Sequence, residues 1–195
     1  ISLELKKLYV KACKMKPEAL VTCDTINWGN TGFANYESSA PYSRAYQDWV
    51  GWLRDTILDY NAVMNYAPLS TSGTLRFQGW TNLSLENDSQ RGSIIGIGAY
   101  QHSSIQGSLD QLLWLRERGA AGWFIYDWGS EVQGNRSGET REQFYAELTR
   151  QVTPTWADVP PPTWKTSPTK GIVEGTVSFQ GLAMDHAEVM LEGHP

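Results

Sequence analysis

A short apolar run that ends in polar and aromatic residues recurs four times along the chain, each time after or between stretches of helical periodicity. The runs occupy residues 19–24, 62–66, 93–101 and 121–128. Each is too short for a helix and rich enough in Val, Ile, Phe and Trp to read as a strand of a parallel sheet buried on both faces. Between them lie helical stripes. Ile1, Leu5, Leu8, Ala12 and Met15 line one face until Pro17 stops the helix. Tyr46, Trp49, Val50, Leu53 and Ile57 form the clearest stripe, which runs out over residues 59–61. A third helix over 74–85 is interrupted by Gly79, and its apolar set fits two periods. Ile105, Leu109, Leu112 and Leu113 mark the fourth, with a capping box from Ser108 to Gln111 and Gly119 as its terminator. A final helix over 141–151 turns Phe144, Leu148 and Tyr145 inward.

Residues 129–139 are polar and aperiodic, and Glu131 among them reads as solvated. Pro154, Pro160, Pro161, Pro162 and Pro168 then give the composition of a semi-rigid extended linker, taken as 153–169. It separates an α/β unit over 1–152 from a β segment over 170–195. In that segment residues 172–179 and 187–191 alternate like strands around a turn at Gln180 and Gly181.

Strands alternating with helices predict an α/β fold, either doubly wound or a (β/α)8 barrel. The first strand is followed by Thr25, Ile26, Asn27, Trp28 and Gly29, which is no Gly-rich phosphate turn, and every strand end carries aromatic or amide residues. Both facts favour the barrel. A whole (β/α)8 TIM barrel needs roughly 250 residues, so four units are its C-terminal half, followed by a partial all-β hairpin.

Composition narrows the partners. A net charge of -5 provides no basic field for nucleic acid or an anionic membrane, and no run is long enough to span a bilayer. Cys13 and Cys23 are too few for a disulfide framework or metal site and read as free and buried. The sequence starts within a helical stripe, with neither an initiator Met nor a signal peptide, as a piece of a longer chain would.

Four segments in order resemble the C-terminal half of the family-10-like glycosyl hydrolases, bacterial TIM-barrel proteins implicated in cleaving peptidoglycan glycan strands. They are residues 11–27, the stretch Trp52-Leu53-Arg54-Asp55-Thr56-Ile57-Leu58-Asp59-Tyr60 leading into Val63-Met64-Asn65-Tyr66, then Ile95-Gly96-Ile97-Gly98-Ala99-Tyr100, and finally 115–127, ending in Trp123-Phe124-Ile125-Tyr126-Asp127. The Asp-bearing motif of that family's first barrel half does not occur here. Where the family tends to a Ser-Pro-Phe-Gly-like strand end, this chain has Thr22-Cys23-Asp24-Thr25. Residues 173–177 and 187–191 resemble the opening hairpin of a carboxypeptidase-regulatory-like β-sandwich. The resemblance implies an extracytoplasmic glycan hydrolase with no cofactor, inactive as this piece alone, whose other barrel half, or a second copy, completes it. The rival expectation is a barrel that binds glycan without cleaving it.

Glycoside hydrolysis needs a pair of carboxyl groups across the scissile bond. Asp127 is the best placed, at the end of the last strand; its structural alternative is to cap the next turn or pair with an arginine. Asp24 holds the same position on the first strand, with an Asx-turn as its alternative. Asn65, Tyr66, Tyr100 and Gln101 suit hydroxyl recognition, and Trp28 and Trp128 suit stacking on sugar rings. His102 reads as exposed and idle, and His186 and His194 show no metal-ligand pattern. The Asn-x-Ser tripeptides at Asn82, Asn87 and Asn135 carry no weight.

Overall fold

The computed structural model describes residues 1–88, 90–134, 138–168, 173, 175–185 and 187–190. Asn135, Ile172, Glu174, His186, Leu191 and His194 lie outside the described residues. The chain is mixed α/β: a four-stranded parallel sheet in the order β1 (Thr22–Thr25), β2 (Tyr60–Met64), β3 (Gly92–Gly98), β4 (Gly122–Tyr126). Helix α1 (Ser2–Met15) precedes it. Short α2 (Ala40–Ser43) and α3 (Trp49–Arg54) lie between β1 and β2, α4 (Thr71–Asn87) between β2 and β3, α5 (Ile105–Glu117) between β3 and β4, and α6 (Arg141–Gln151) follows.

Strand alternation assigns the two faces. Asn61, Val63, Ser93, Ile95 and Ile97 turn toward the helices and are fully buried. Val63, Ile95 and Ile97 pack with Phe77 of α4, Leu109, Leu112 and Leu115 of α5, and Phe144 of α6. Polar side chains on this face pair with one another: Thr25 Oγ1 donates to Asn61 Oδ1 at 2.6 Å, Asn61 Nδ2 to Ser84 Oγ at 2.9 Å, and Ser84 Oγ lies 2.8 Å from Ser93 Oγ. A buried hydroxyl or amide left unpaired would be costly, so these bonds fix the register of α4 on β2 and β3. A second core gathers Trp49, Trp52, Leu53, Ile57 and Trp80.

The opposite face differs. Ala62, Met64, Ile94 and Phe124 are half-buried and belong to neither core. The expectation that the strands are buried on both faces is corrected here: α1 and the helices from α3 to α6 pack on one face. At the foot of the open face the ring of Trp164 meets Tyr60 edge-on at 5.8 Å.

Local departures have local causes. The stripe over 46–57 yields a helix only from Trp49 to Arg54, because Asp48 caps its start with a 3.0 Å bond from Gly51 N, and Thr56 takes a positive φ of 59° at its end. Helix α4 runs through Gly79, where a Cβ would lie 2.6 Å from the ring of Phe33. The expected capping box is absent: Ser104 caps α5, and Ser108 and Gln111 are buried inside it. Cys13 and Cys23 are free but half-buried. After the prolines, α7 (Thr163–Thr166) returns to the α/β unit, where Trp164 Nε1 donates to Asp59 at 2.7 Å. β5 (Ser178–Phe179) pairs antiparallel with β6 (Leu182–Ala183), whereas Ala187 to Met190 forms no strand. No helix among the described residues is long and apolar enough to cross a membrane.

Candidate functional site

A cleft of about 320 Å³ opens at the carboxyl ends of β1, β2 and β3. That is the end at which parallel α/β folds present ligand-binding loops. One wall is the loop after β1, with Ile26, Asn27, Trp28 and Gly29. Two buried indoles hold it in place. Trp49 Nε1 donates to Ile26 O at 3.1 Å and Trp80 Nε1 to Gly29 O at 3.0 Å, while Ile26 N donates to Gln47 Oε1 at 2.8 Å. With its backbone fixed this way, Trp28 stands 55% exposed at the rim.

The floor is the end of β2, Met64 to Ala67, and the far wall is Tyr100 and Gln101 after β3. His102, contrary to expectation, is buried: its Nε2 lies 3.0 Å from Gln111 Oε1, and Gln111 Nε2 donates to Ala67 O at 2.7 Å. Burial, opposed by Gln111 and Asp110, holds the imidazole below its usual range. This chain of bonds ties the floor to the far wall through α5.

The tyrosines form one aromatic group. Tyr66 stacks on Tyr126 at 4.8 Å and meets Phe124 edge-on at 6.4 Å, and Tyr100 lies 6.2 Å from Tyr126. Burial foremost, then Tyr126, Asp24 and Tyr100, pushes the Tyr66 phenol up to about 12. Gln101 Nε2 donates to the Tyr100 hydroxyl at 2.9 Å.

The cleft therefore brings together Trp28, Tyr66, Tyr100 and Gln101. Asn65 also lines the cleft but is fully buried, with Nδ2 donating to Phe77 O at 2.8 Å and Thr81 Oγ1 at 3.1 Å, and with Oδ1 unpartnered among the described residues. Its amide nitrogen thereby anchors α4. Asp24 is exposed on the open face of the sheet, and its carboxylate makes no hydrogen bond or ion pair among the described residues. Asp127 is also exposed, follows a cis Tyr126–Asp127 peptide, and accepts a hydrogen bond from the Ser130 hydroxyl, closing the turn after β4.

Trp128 lies away from the cleft, its ring under Arg141 at 4.8 Å and beside Tyr145 at 5.9 Å. Glu131, expected in solvent, is buried beneath them. It accepts from Tyr145 OH at 2.5 Å and Gly129 N at 3.2 Å, and Arg141 Nε lies 3.5 Å away. Burial pushes its carboxyl up, but the Tyr145 hydroxyl, the Gly129 N–H and Arg141 outweigh that and hold it below the usual range. Two contributors escape a reading of strand ends: Tyr126, which completes the aromatic group, and Arg76 of α4, which lines the cleft. Strand alternation from Phe124 signals the first. The second falls in the helix whose period was ambiguous.

Compared with protein-family models, curated proteins and solved structures, the chain matches none.

Proposed function

We propose that this chain is the C-terminal half of a (β/α)8 barrel of glycoside-hydrolase type, and that its cleft binds a bacterial cell-wall or other extracytoplasmic glycan. The observation that carries the reading is the aromatic cleft at the carboxyl ends of parallel strands. Trp28, Tyr66 and Tyr100 offer ring faces and hydroxyls to a sugar, and Gln101 adds an amide.

Support for the barrel comes from the winding. The strands follow one another in sequence order with the helices on one face, whereas a doubly wound sheet reverses its order. The strand ends also climb. Thr25 is level with Val63, β2 runs one residue further, and β3 continues two beyond that to Gly98, level with Tyr126. Such stagger accompanies strand tilt in a barrel. The half-buried face of Ala62, Met64, Ile94 and Phe124 would become the barrel interior once the other half, or a second copy, closes it.

For catalysis, Asp127 and Asp24 are the carboxylates of this half nearest the reading. A second reading, glycan binding without cleavage, is favoured by one observation: both carboxylates stand in solvent, and Asp127 is engaged by Ser130. A protonated acid usually occupies an apolar enclosure.

Titration of N-acetylglucosamine oligosaccharides into the chain, read by tryptophan fluorescence, tests the cleft. Trp28→Ala is expected to weaken binding about 10-fold or more, in line with the loss of an aromatic contact. In the protein with its barrel completed, Asp127→Asn is expected to lower turnover by about 100-fold or more with binding retained. Unchanged turnover with binding lost in Trp28→Ala selects the non-catalytic reading. No response to any sugar rejects both.

A further inference from the structure

Among the described residues, Arg76 is the one charged side chain that lines the cleft. It is half-buried in the second turn of α4, and it makes no hydrogen bond or ion pair among the described residues. This is unusual company for a guanidinium in a chain where 21 acidic residues outnumber 16 basic ones. The other half-buried cations among the described residues have partners: Lys165 has Asp59 at 2.8 Å, Lys6 has Asp55 at 2.8 Å, and Arg91 Nη2 donates to Thr56 O at 3.2 Å. Arg141 has Glu131 at 3.5 Å and a tryptophan face.

A guanidinium remains charged at every working pH and presents planar donors matched to a two-oxygen anion. Partly withdrawn from water and left unpaired, it gains most from a ligand that supplies that anion. The other described lining residues are uncharged, with Trp28, Tyr66 and Tyr100 among them, so the anion is a substituent on a ring that stacks there and not a repeating polyanion, which the overall charge of -5 would repel. We infer that Arg76 is a specificity-determining residue that pairs with a carboxylate carried on the bound sugar, so that the cleft selects acidic over neutral glycan units. This rests on the glycan reading of the cleft.

The test compares two probes of one skeleton: the disaccharide N-acetylglucosaminyl-N-acetylmuramic acid, with its free carboxyl, and the same disaccharide with that carboxyl reduced to an alcohol. Binding of each to the whole chain is measured calorimetrically at low and high salt. The acid is expected to bind at least about 10-fold tighter, with the preference shrinking as salt rises, because a bidentate charge-assisted pair is lost with the carboxylate. Arg76→Gln should bring the preference below about 3-fold by lowering affinity for the acid alone, and Arg76→Lys, which keeps the charge but not the fork, should fall between. Arg76 has no partner to lose among the described residues, so the melting temperature should hold. Equal binding of the two probes by the unaltered chain, or an unchanged preference in Arg76→Gln, overturns the inference and leaves the glycan reading standing. Binding of neither probe overturns both.

Discussion

Lys165 Nζ lies 2.8 Å from Asp59 Oδ2, an ion pair in which the carboxylate side chain is fully buried and the lysine nearly so. Asp59 also accepts from Tyr9 OH at 3.0 Å, Val21 N at 2.7 Å and Trp164 Nε1 at 2.7 Å. One carboxylate thus joins α1, the start of β1, the foot of β2 and the segment after the prolines. Burial pushes the Lys165 ammonium down, but Asp59 and Cys13, whose Sγ is 3.3 Å away, outweigh it and the net direction is up.

Removing the carboxylate charge leaves the lysine buried without its counter-ion. Asp59→Asn is therefore expected to cost about 3–5 kcal/mol, the range for breaking a buried pair from one side. Adding Lys165→Met should recover part of the loss. Urea denaturation of the single and double variants measures both, and a single variant as stable as the parent would show that the pair contributes nothing.

Gly79→Ala sets propensity against packing. Alanine favours a helix by about 1 kcal/mol over glycine, yet its Cβ would fall 2.6 to 2.7 Å from three ring atoms of Phe33, which itself packs edge-on to Trp80 at 6.0 Å. Packing should win, with a net loss of about 1–2 kcal/mol. A higher melting temperature in the variant would place Phe33 somewhere other than against α4.

Glu131 should govern part of the acid limb of stability. Its carboxyl is held below the usual range in the folded protein. The stability it contributes is present above the ordinary glutamate value near 4.3 and disappears as pH falls through the folded value. Glu131→Gln is expected to be less stable than the parent at neutral pH and to converge with it in acid. Parallel stability curves across that range would contradict the assignment.

At the alkaline end, Tyr66 ionises late, its phenol pushed up to about 12, burial being the largest cause. An unfolded tyrosine ionises near 10, so this contribution is whole below 10 and is lost as pH rises through 12. Ultraviolet titration should show one late phenolate fewer in Tyr66→Phe. If the variant loses a phenolate near 10 instead, the stack on Tyr126 does not exclude water from the hydroxyl.

How much of this was legible in sequence depends on where the information resides. Apolar runs such as Ile94 to Ile97 announce a strand, although the run does not show that Ile95 and Ile97 are covered by helices while Ile94 stands half-buried on the open face. The even spacing of Asn61, Val63 and Asn65 also announces a common face, and since Val63 must be buried, Asn65 follows it inward. The burial of Asn65 was in that sense readable. Arg76 was not, because α4 faces both cores and the apolar spacing is blurred by Phe77 and Trp80. Nor was the return of Trp164 and Lys165, since composition identifies a proline-rich span but not what its far end docks against. The burial of Glu131 was equally hidden, as its partners Tyr145 and Arg141 come from a later helix.

That docking has a mechanical consequence. The segment following the prolines is fastened at the foot of β2, and the cleft opens at its head, about 17 Å away at roughly 3.3 Å per residue. Tension on the chain after Ser167 would thus be borne first by Asp59, at the opposite pole from Trp28 and Tyr100. Anything tethered there can tug or swivel without disturbing the surfaces that meet a ligand.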